Sequence, residues 1–249
     1  MKKVGSKLNR ILSNLIYTPM KWVLTKRRYS KQVDSIRFVL ENSLTYLDKA
    51  ALLDLFLAVK SVEQLSGKGA IIEAGCALGG SAIVIASAKD KSRIFQIYDT
   101  FGLIPPPSAN DENDSLDRYD DIISGSAQGI EGNTYYGYVH DLQSQVKHNF
   151  QRAGLPVNDN QIELISGLFE DKLQPDEPVI LAHLDCDWYD SVLVCLERIV
   201  PNLVSGGILV IDDYDHWAGC RKAVDYYFSD KMSSFEFIHN SRLHIRKRL

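Results

Sequence analysis

Short apolar runs recur along the chain from residue 70 onward, and amphipathic stretches separate most of them. These runs are rich in β-branched residues and cover residues 70–75, 93–99, 161–167, 178–185, 206–213, 235–240 and 242–248. Strands that alternate with helices predict an α/β fold with a doubly wound, mostly parallel sheet. The last two runs flank a tight turn at residues 240–241, which predicts an antiparallel C-terminal edge to this seven-stranded sheet.

Amphipathic spacing predicts helices before the first strand and between the later ones. The strongest pattern covers residues 48–65, and further helical stretches cover residues 140–153 and 189–203. Near the N-terminus, residues 8–25 carry one apolar stripe, which consists of Leu8, Ile11, Leu12 and Leu15. We expect Pro19 to break that helix, because proline lacks the backbone donor that a helix interior needs.

One long stretch interrupts this alternation. Residues 102–139 contain three consecutive prolines, many acids and several Gly, Ser and Tyr residues. So long an insertion beside the carboxyl edge of a sheet is usually a lid, a substrate loop or a disordered segment, and we favour a lid. We therefore divide the chain into a basic helical extension over residues 1–45 and a main domain over residues 46–249 that carries the lid.

Charge is distributed very unevenly along the 249 residues. The net charge is −4, yet residues 1–33 hold nine of the 28 Lys and Arg residues and no acid. The rest of the chain therefore has 19 basic and 32 acidic residues, a balance of −13. Since nucleic acids bind to basic surfaces, we do not expect a nucleic-acid partner for the main body.

The basic N-terminal arm has two interpretations. Its cations alternate with Leu, Ile and Trp22, so that it could seat a helix on an anionic membrane surface. It could instead be a solvated or self-packing helix that contacts the lid or a second subunit, and we expect a homo-oligomer.

The remaining composition indicates a cytoplasmic protein. The four cysteines show no CxxC spacing and no disulfide framework, as is typical of reduced cysteines. The apolar stretches near the N-terminus are short and interrupted, so we expect neither a signal peptide nor a membrane span of roughly 20 residues.

The first apolar run closes on an acid and a glycine-rich turn. An acid at a strand end, followed by glycines that open a helix, allows a nucleotide to approach the backbone closely. The spacing is not GxGxxG, and a pyrophosphate would prefer a turn without an acid. The cationic, phosphate-free cofactor S-adenosylmethionine (SAM) suits this turn better, although the glycines could also serve packing alone. The predicted cofactor residues here are Glu73, Ala74, Gly75, Gly79, Gly80 and Ser81.

Asp99 ends the second run, 24 residues after Gly75. An acid at this position is placed to bind ribose hydroxyls, as in dinucleotide-binding folds. Asp99 could instead cap a turn, but the nearby glycine motif favours ribose binding. Ser166 and Gly167, at the end of the third run, complete the predicted cofactor site.

Two neighbouring strands end in acids. The first group is Asp185, Asp187 and Asp190, and the second is Asp212, Asp213 and Asp215. Acids this close repel one another, and a hard divalent cation such as Mg²⁺ relieves the repulsion. The alternative is that some of them cap the following helices, Asp190 especially. Of the two nearby histidines, we expect His183 to be packed in the core, and His216 could face a substrate.

Several motifs occur in a familiar order. They are Glu73-x-Gly75…Gly79-Gly80, residues 98–102 (YDTFG), Leu184-Asp185-x-Asp187-x-Tyr189-x-Ser191, and Gly206-Gly207…Asp212-Asp213-Tyr214. Over about residues 45–230 this series resembles the macrocin O-methyltransferase family, which includes mycinamicin and novobiocin sugar methyltransferases. The resemblance implies a Rossmann-like class I methyltransferase that uses SAM in natural-product or glycan biosynthesis.

The resemblance also implies a role for each acid. Asp185, Asp212 and Asp213 would bind Mg²⁺, which would hold and acidify a vicinal diol of a sugar or a glycosylated small molecule. Asp187 would be the general base, a role that Asp185 could share. Glu73 and Gly75 would hold the amino-acid tail of SAM and Asp99 its ribose. The resemblance implies Tyr46 as a substrate-side residue, and Tyr214 and His216, beside the second group of acids, are further candidates.

Two other functions are compatible with the predicted fold. An NAD(P)-dependent oxidoreductase would explain the sheet, but it lacks GxGxxG and leaves the acids without a role. A non-catalytic glycan-binding or scaffold protein on a methyltransferase fold would also explain the strands.

Overall fold

The computed structural model describes residues 18–249, except residues 66 and 68. The apolar stripe predicted at Leu8, Ile11, Leu12 and Leu15 therefore lies outside the described residues. One sheet organises the described part of the chain. Its strands are β1 (Ala70–Ala74), β2 (Phe95–Asp99), β3 (Ile162–Ser166), β4 (Val179–Leu184), β5 (Leu203–Ile211), β6 (Phe235–His239) and β7 (Leu243–Lys247).

The strand order is β3-β2-β1-β4-β5-β7-β6. Strands β1 to β5 are parallel, whereas β7 pairs antiparallel with both β5 and β6. This order confirms the predicted doubly wound sheet with an antiparallel C-terminal edge. The carboxyl ends of β1, β2, β4 and β5 meet at one edge, where ligands bind in open α/β folds.

Helices cover both faces of the sheet. They are α1 (residues 18–28), α2 (Ser30–Glu41), α3 (Lys49–Val62), α4 (Gly80–Ala88), α5 (Asn113–Ile123), α6 (Leu142–Arg152), α7 (Phe169–Lys172), α8 (Tyr189–Ile199) and α9 (Ala218–Phe228). Helices α2, α3, α4 and α6 share one apolar core, and α8 and α9 share the other. Adjacent strand residues such as Ile71 and Ile72 point into opposite cores, because side chains alternate along a strand.

Most predicted elements are present, with shifted ends. Helix α3 begins at Lys49 because the Asp48 side chain accepts a hydrogen bond from Ala51 N at 2.8 Å. The helix predicted over residues 189–203 ends at Ile199, since a 3₁₀ turn with Pro201 follows it and leads into β5. Pro19 lies at the start of the described part of α1, which runs to residue 28 rather than 25.

Helix α2 lies within the extension over residues 1–45 that was predicted to be helical, but no separate helix was predicted over Ser30–Glu41. Its Val33, Ile36 and Val39 are fully buried, but the segment otherwise carries polar and charged side chains. Three apolar residues at intervals of three are a weak helical pattern inside a stretch that charge marks as part of the basic arm. The helix nevertheless belongs to the core, because these three residues pack in the same cluster as α3 and α4.

Candidate active site

A cavity of about 360 Å³ opens at the carboxyl edge of the sheet. Strand ends supply its floor, and the insertion over residues 102–139 supplies one wall. Its lining residues are Tyr46, Leu47, Gly75, Cys76, Ala77, Asp99, Arg118, Ile122, Tyr135, Tyr136, Asp185, Asp187, Trp188, Asp212, Asp213, His216, Trp217 and Arg242. The two halves of the predicted site, the glycine turn and the acids, thus share one cavity.

Asp99 fixes the shape of the glycine turn. Its carboxylate accepts hydrogen bonds from Cys76 N at 2.8 Å and from Phe101 N at 2.7 Å. Burial raises the pKa of Asp99, and these backbone donors partly offset that rise. Ala77 and Phe101 have φ angles of 46° and 50°, a backbone conformation that is uncommon for residues other than glycine. The turn is therefore held in a strained shape around the carboxylate.

Gly75 brings the turn into contact with the acid-bearing strand. Its φ is +85°, and a Cβ at this position would lie well inside 3.0 Å of the Asp185 carbonyl oxygen. Asp185 N also donates a hydrogen bond to Ala74 O at 2.9 Å. Only glycine permits this close approach of β1 to the end of β4.

Glu73 and His183 form an ion pair beneath the cavity. Both side chains have no exposed surface, and His183 Nδ1 lies 2.8 Å from Glu73 Oε1. Burial alone would lower the pKa of His183, but its contacts with Asp212 and Glu73 outweigh it and raise the pKa to about 10. His183 is thus packed in the core, as expected, with two carboxylates beside its ring.

Three acids converge at the centre of the cavity. Carboxylate oxygens of Asp185, Asp187 and Asp213 lie within 4.8 Å of one another. Burial raises the pKa of all three, and repulsion between neighbouring carboxylates raises the pKa of Asp185 and Asp213 further. Asp213 Oδ2 is buried and has no hydrogen-bond partner among the described residues. The cluster therefore has the charge and the unpaired oxygen that a cation would satisfy.

Asp212 is engaged elsewhere. Its Oδ1 accepts a hydrogen bond from Arg242 Nε at 2.8 Å and lies 3.9 Å from His183 Nε2. Burial would raise the pKa of Asp212, but these two cations outweigh it and the pKa is lowered. The structure thus groups Asp187 with Asp185 and Asp213, where the sequence predicted Asp212 as the third member.

Asp187 is held in a fixed orientation. Its φ of 56° is unusual for aspartate, and Trp217 Nε1 donates a hydrogen bond to its Oδ1 at 2.9 Å. Trp217 in turn packs edge-on against Trp188, with ring centroids 5.5 Å apart. Strained backbone at such a residue is common in active sites, where the surrounding structure supports it.

The insertion over residues 102–139 covers the acids. Trp188 Nε1 donates a hydrogen bond to Pro105 O at 2.9 Å, and Tyr189 N donates one to Asp111 Oδ1 at 2.8 Å. Farther along, Tyr136 packs edge-on against Tyr46, with ring centroids 6.3 Å apart. The insertion therefore includes a helix, α5, and lines one side of the cavity, and its role as a lid stays a prediction.

The glycine turn, Asp99 and the acid cluster thus lie in one cavity, and a comparison with known families identifies the chain. The family described as macrocin O-methyltransferase (TylF) matches residues 40–238, well over half of the chain. The protein belongs to this family.

The relatives with known names are O-methyltransferases. The 8-demethyl-8-(2,3-dimethoxy-alpha-L-rhamnosyl)-tetracenomycin-C 4'-O-methyltransferase of Streptomyces olivaceus is 32% identical over 165 residues, 64% of this chain and 58% of that protein. The mycinamicin III 3''-O-methyltransferase of Micromonospora griseorubida is 28% identical over 233 residues, 88% of this chain and 85% of that protein. The match to the first relative thus spans less than two thirds of its length.

Solved structures agree on the fold. The O-methyltransferase NovP superposes with a TM-score of 0.66 at 23% identity, over 82% of each chain. The calicheamicin methyltransferase CalS11 superposes with a TM-score of 0.60 at 17% identity, over 87% of this chain and 91% of that one. This member of the macrocin O-methyltransferase family therefore has the class I methyltransferase fold.

Not every predicted site residue reaches the cavity of this family member. Tyr46 and His216 line it, but the Tyr214 hydroxyl donates a hydrogen bond to Asp225 Oδ1 at 2.8 Å, and Tyr214 lies outside the lining. The other predicted residues outside the lining are Glu73, Ala74, Gly79, Gly80, Ser81, Ser166 and Gly167. Gly79 caps α4 with a φ of +84°, and Ser166 pairs with Asp99 in the sheet, so these residues shape the turn from behind.

Sequence reasoning missed the residues that come from distant parts of the chain. Arg242 follows the β6–β7 turn, which had been interpreted only as a sheet edge. Arg118, Tyr135 and Tyr136 lie in the insertion, where no periodic pattern distinguishes wall residues from solvent-facing ones. The tryptophans beside the acids, Trp188 and Trp217, adjoin motifs that were recognised, and an aromatic residue next to a cluster of acids was the available signal.

Proposed function

We propose that this protein transfers a methyl group from SAM to a hydroxyl of a sugar or a glycosylated small molecule, with the help of a divalent cation. The observation that carries the proposal is the cluster of Asp185, Asp187 and Asp213 in the same cavity as Asp99 and the glycine turn. Family membership supports it, as do the names of relatives that methylate glycosylated tetracenomycin and mycinamicin.

The cofactor side of the cavity suits SAM. We assign Asp99 to the ribose hydroxyls, because a carboxylate that accepts backbone N–H bonds still has lone pairs for further donors. The backbone around Gly75 faces the cavity and is assigned to the amino-acid tail. Glu73 has no exposed surface, so we assign it a supporting role beneath the turn rather than a direct contact.

The acid cluster suits a hard cation such as Mg²⁺. The atoms that would bind the cation are all carboxylate oxygens, and one of them, Asp213 Oδ2, has no hydrogen-bond partner among the described residues. When bound, such a cation supplies positive charge that stabilises the deprotonated form of a coordinated hydroxyl. Asp185 and Asp213 belong to both candidate ligand sets, and the third ligand is Asp212 in the sequence prediction and Asp187 in the structural cluster.

Asp187 is our candidate for the residue that accepts the hydroxyl proton, with Asp185 as the alternative. Burial raises the pKa of Asp187, which makes its carboxylate a stronger base near neutral pH. The hydrogen bond from Trp217 fixes the orientation of Asp187. Methyl transfer is an in-line displacement, so the rest of the cavity serves mainly to align the acceptor with the methyl group.

The setting of the reaction is part of the same proposal. All four cysteines are buried and unpaired, which suits the reducing cytoplasm. We further propose a role in natural-product or glycan biosynthesis, in keeping with the names of the relatives. The homo-oligomer expected from the sequence stays a prediction.

Isothermal titration with SAM and with NADH tests the cofactor, and a methylation assay with glycosylated acceptors in Mg²⁺ or EDTA tests the cation. We expect SAM binding, no NADH binding, and activity that EDTA abolishes. Asp185→Asn and Asp213→Asn should lose turnover by about 100-fold or more while they keep SAM affinity. The exposed Asp190→Asn serves as the matched control. Full activity in EDTA would overturn the metal-dependent mechanism, and absence of SAM binding would overturn the whole proposal.

Paired variants identify the third ligand. If Asp187 binds the cation, Asp187→Asn should weaken Mg²⁺ binding more than Asp212→Asn does. The reverse order would support the set of Asp185, Asp212 and Asp213 and would leave Asp187 as base alone. Mg²⁺ titration in the absence of acceptor separates the two sets without any dependence on turnover.

A further inference from the structure

Helix α1 packs on the protein through its polar and aromatic side chains. Lys21 Nζ lies 3.1 Å from Asp54 Oδ1, and Lys49 Nζ lies 3.8 Å from the centre of the Trp22 ring. Thr25, on the same side, is only 5% exposed. These contacts leave the opposite side of the helix facing solvent.

The solvent side of α1 is apolar. Met20, Val23 and Leu24 are 55%, 55% and 58% exposed. Their spacing of i, i+3 and i+4 places them side by side on one helical face. A helix on the surface of a globular protein normally buries such an apolar stripe against the core. Helix α1 instead turns its apolar stripe toward solvent.

Cations surround this apolar face. Lys26, Arg27 and Arg28 are exposed on the last turn of the helix, and Lys31 is exposed at the start of α2. Residues 1–33 contain nine Lys and Arg residues and no acid, whereas the rest of the chain carries a balance of −13. The apolar face therefore lies in a strongly basic part of the sequence.

The charge pattern decides which partner fits. A second copy docked through the same face would bring like charges together, because a two-fold interface pairs a surface with itself. A nucleic acid would match the cations but not the three apolar side chains at their centre. An anionic lipid surface matches both, since apolar groups enter the acyl boundary while Lys and Arg remain at the headgroups.

We propose that α1 docks the protein onto anionic membrane surfaces, with Met20, Val23 and Leu24 inserted among the lipids. The attachment is peripheral: none of the helices in the described part of the chain has the length and apolar character to span a bilayer. It is also reversible, because three apolar side chains with a few cations give a weak anchor. The acidic main body is repelled by the same surface, so α1 sets the orientation of the docked protein.

Vesicle flotation of the full chain tests this proposal. The vesicles are phosphatidylcholine alone, or phosphatidylcholine with about one third phosphatidylserine. We expect binding to the anionic vesicles only, and release by high salt, which screens the charges. The variant Met20→Ser/Val23→Ser/Leu24→Ser should lose at least about tenfold in partitioning. The variant Lys26→Glu/Arg27→Glu should lose about fivefold or more for each charge changed.

The matched control is Leu116→Ser/Ile123→Ser on the acidic helix α5, where the two side chains are 44% and 57% exposed. It should bind vesicles like the parent. Unchanged melting temperature for every variant confirms that the fold is intact. Equal binding to both kinds of vesicle, no binding to either, or parental binding by the apolar variant would overturn the proposal. So would a dimer in light scattering that the apolar variant converts to monomer without any vesicle binding.

Discussion

The contact of Gly75 with Asp185 makes a quantitative prediction about stability. Replacement by alanine introduces two separate costs. A φ of +85° disfavours any residue with a Cβ by about 1–2 kcal/mol. The new Cβ also overlaps the Asp185 carbonyl oxygen, and overpacking of this kind typically costs ~1–3 kcal/mol more. Because the obstacle is backbone rather than a flexible side chain, we expect the upper half of the combined range of about 2–5 kcal/mol.

Two other glycines separate these costs. Gly154 has a φ of +74° with open space around it, so the free energy of unfolding of Gly154→Ala should fall only by the cost of the backbone conformation. Gly102 has neither a positive φ nor a neighbour within 4 Å, so that Gly102→Ala should be nearly neutral. With about 2–4 °C per kcal/mol for a chain of this size, the expected losses in melting temperature are ~2–8 °C for Gly154→Ala and roughly 7–20 °C for Gly75→Ala.

Thermal unfolding followed by circular dichroism measures all three variants, and titration provides a second readout. Gly75→Ala should also weaken both SAM and Mg²⁺ binding, since relief of the overlap must move β1 away from the end of β4. Gly154→Ala should bind both normally. The reasoning fails if Gly75→Ala melts within about 2 °C of Gly154→Ala, because the overlap would then contribute almost nothing.

Three further predictions concern single side chains. Burial lowers the pKa of His244 from 6.5 to about 4. Between these two pH values the unfolded chain binds a proton that the folded chain does not, so the free energy of unfolding should fall by up to about 3 kcal/mol as the pH drops from 6.5 to 4. In denaturant titrations His244→Gln should flatten this pH dependence, and the exposed His148→Gln should not. Arg242→Gln removes the cation that pairs with Asp212, and Mg²⁺ should then bind at least about threefold more tightly by calorimetry; weaker binding would show that Arg242 orients the ligands. Asp99→Asn loses one of the acceptors that hold the glycine turn, and SAM should bind about tenfold more weakly in the same instrument.

Local patterns in the sequence were sufficient to predict the sheet. The central parallel strands are short apolar runs because both of their faces are buried, and β1 and β4 are buried throughout. The edge strand β3 is only partly buried. The acids at the ends of β4 and β5 were predicted to meet because parallel strands end at the same edge. Family motifs pointed to the same residues. All of these patterns are local in sequence, because each depends on one strand and the turn that follows it.

The composition of the site beyond those turns depends on contacts across the fold. Asp212 and Asp213 are adjacent in sequence, yet one pairs with Arg242 and the other faces Asp185 and Asp187. Where a strand ends, the side chains of neighbouring residues point in different directions. The partners of each side chain therefore depend on the element that packs on that side. For Asp212 that element is β7, which enters the sheet antiparallel beside β5 and brings a cation from the last eight residues of the chain. No local pattern marks Arg242 for this role, and the division of two adjacent aspartates between an ion pair and an acid cluster follows from the order of strands in the sheet.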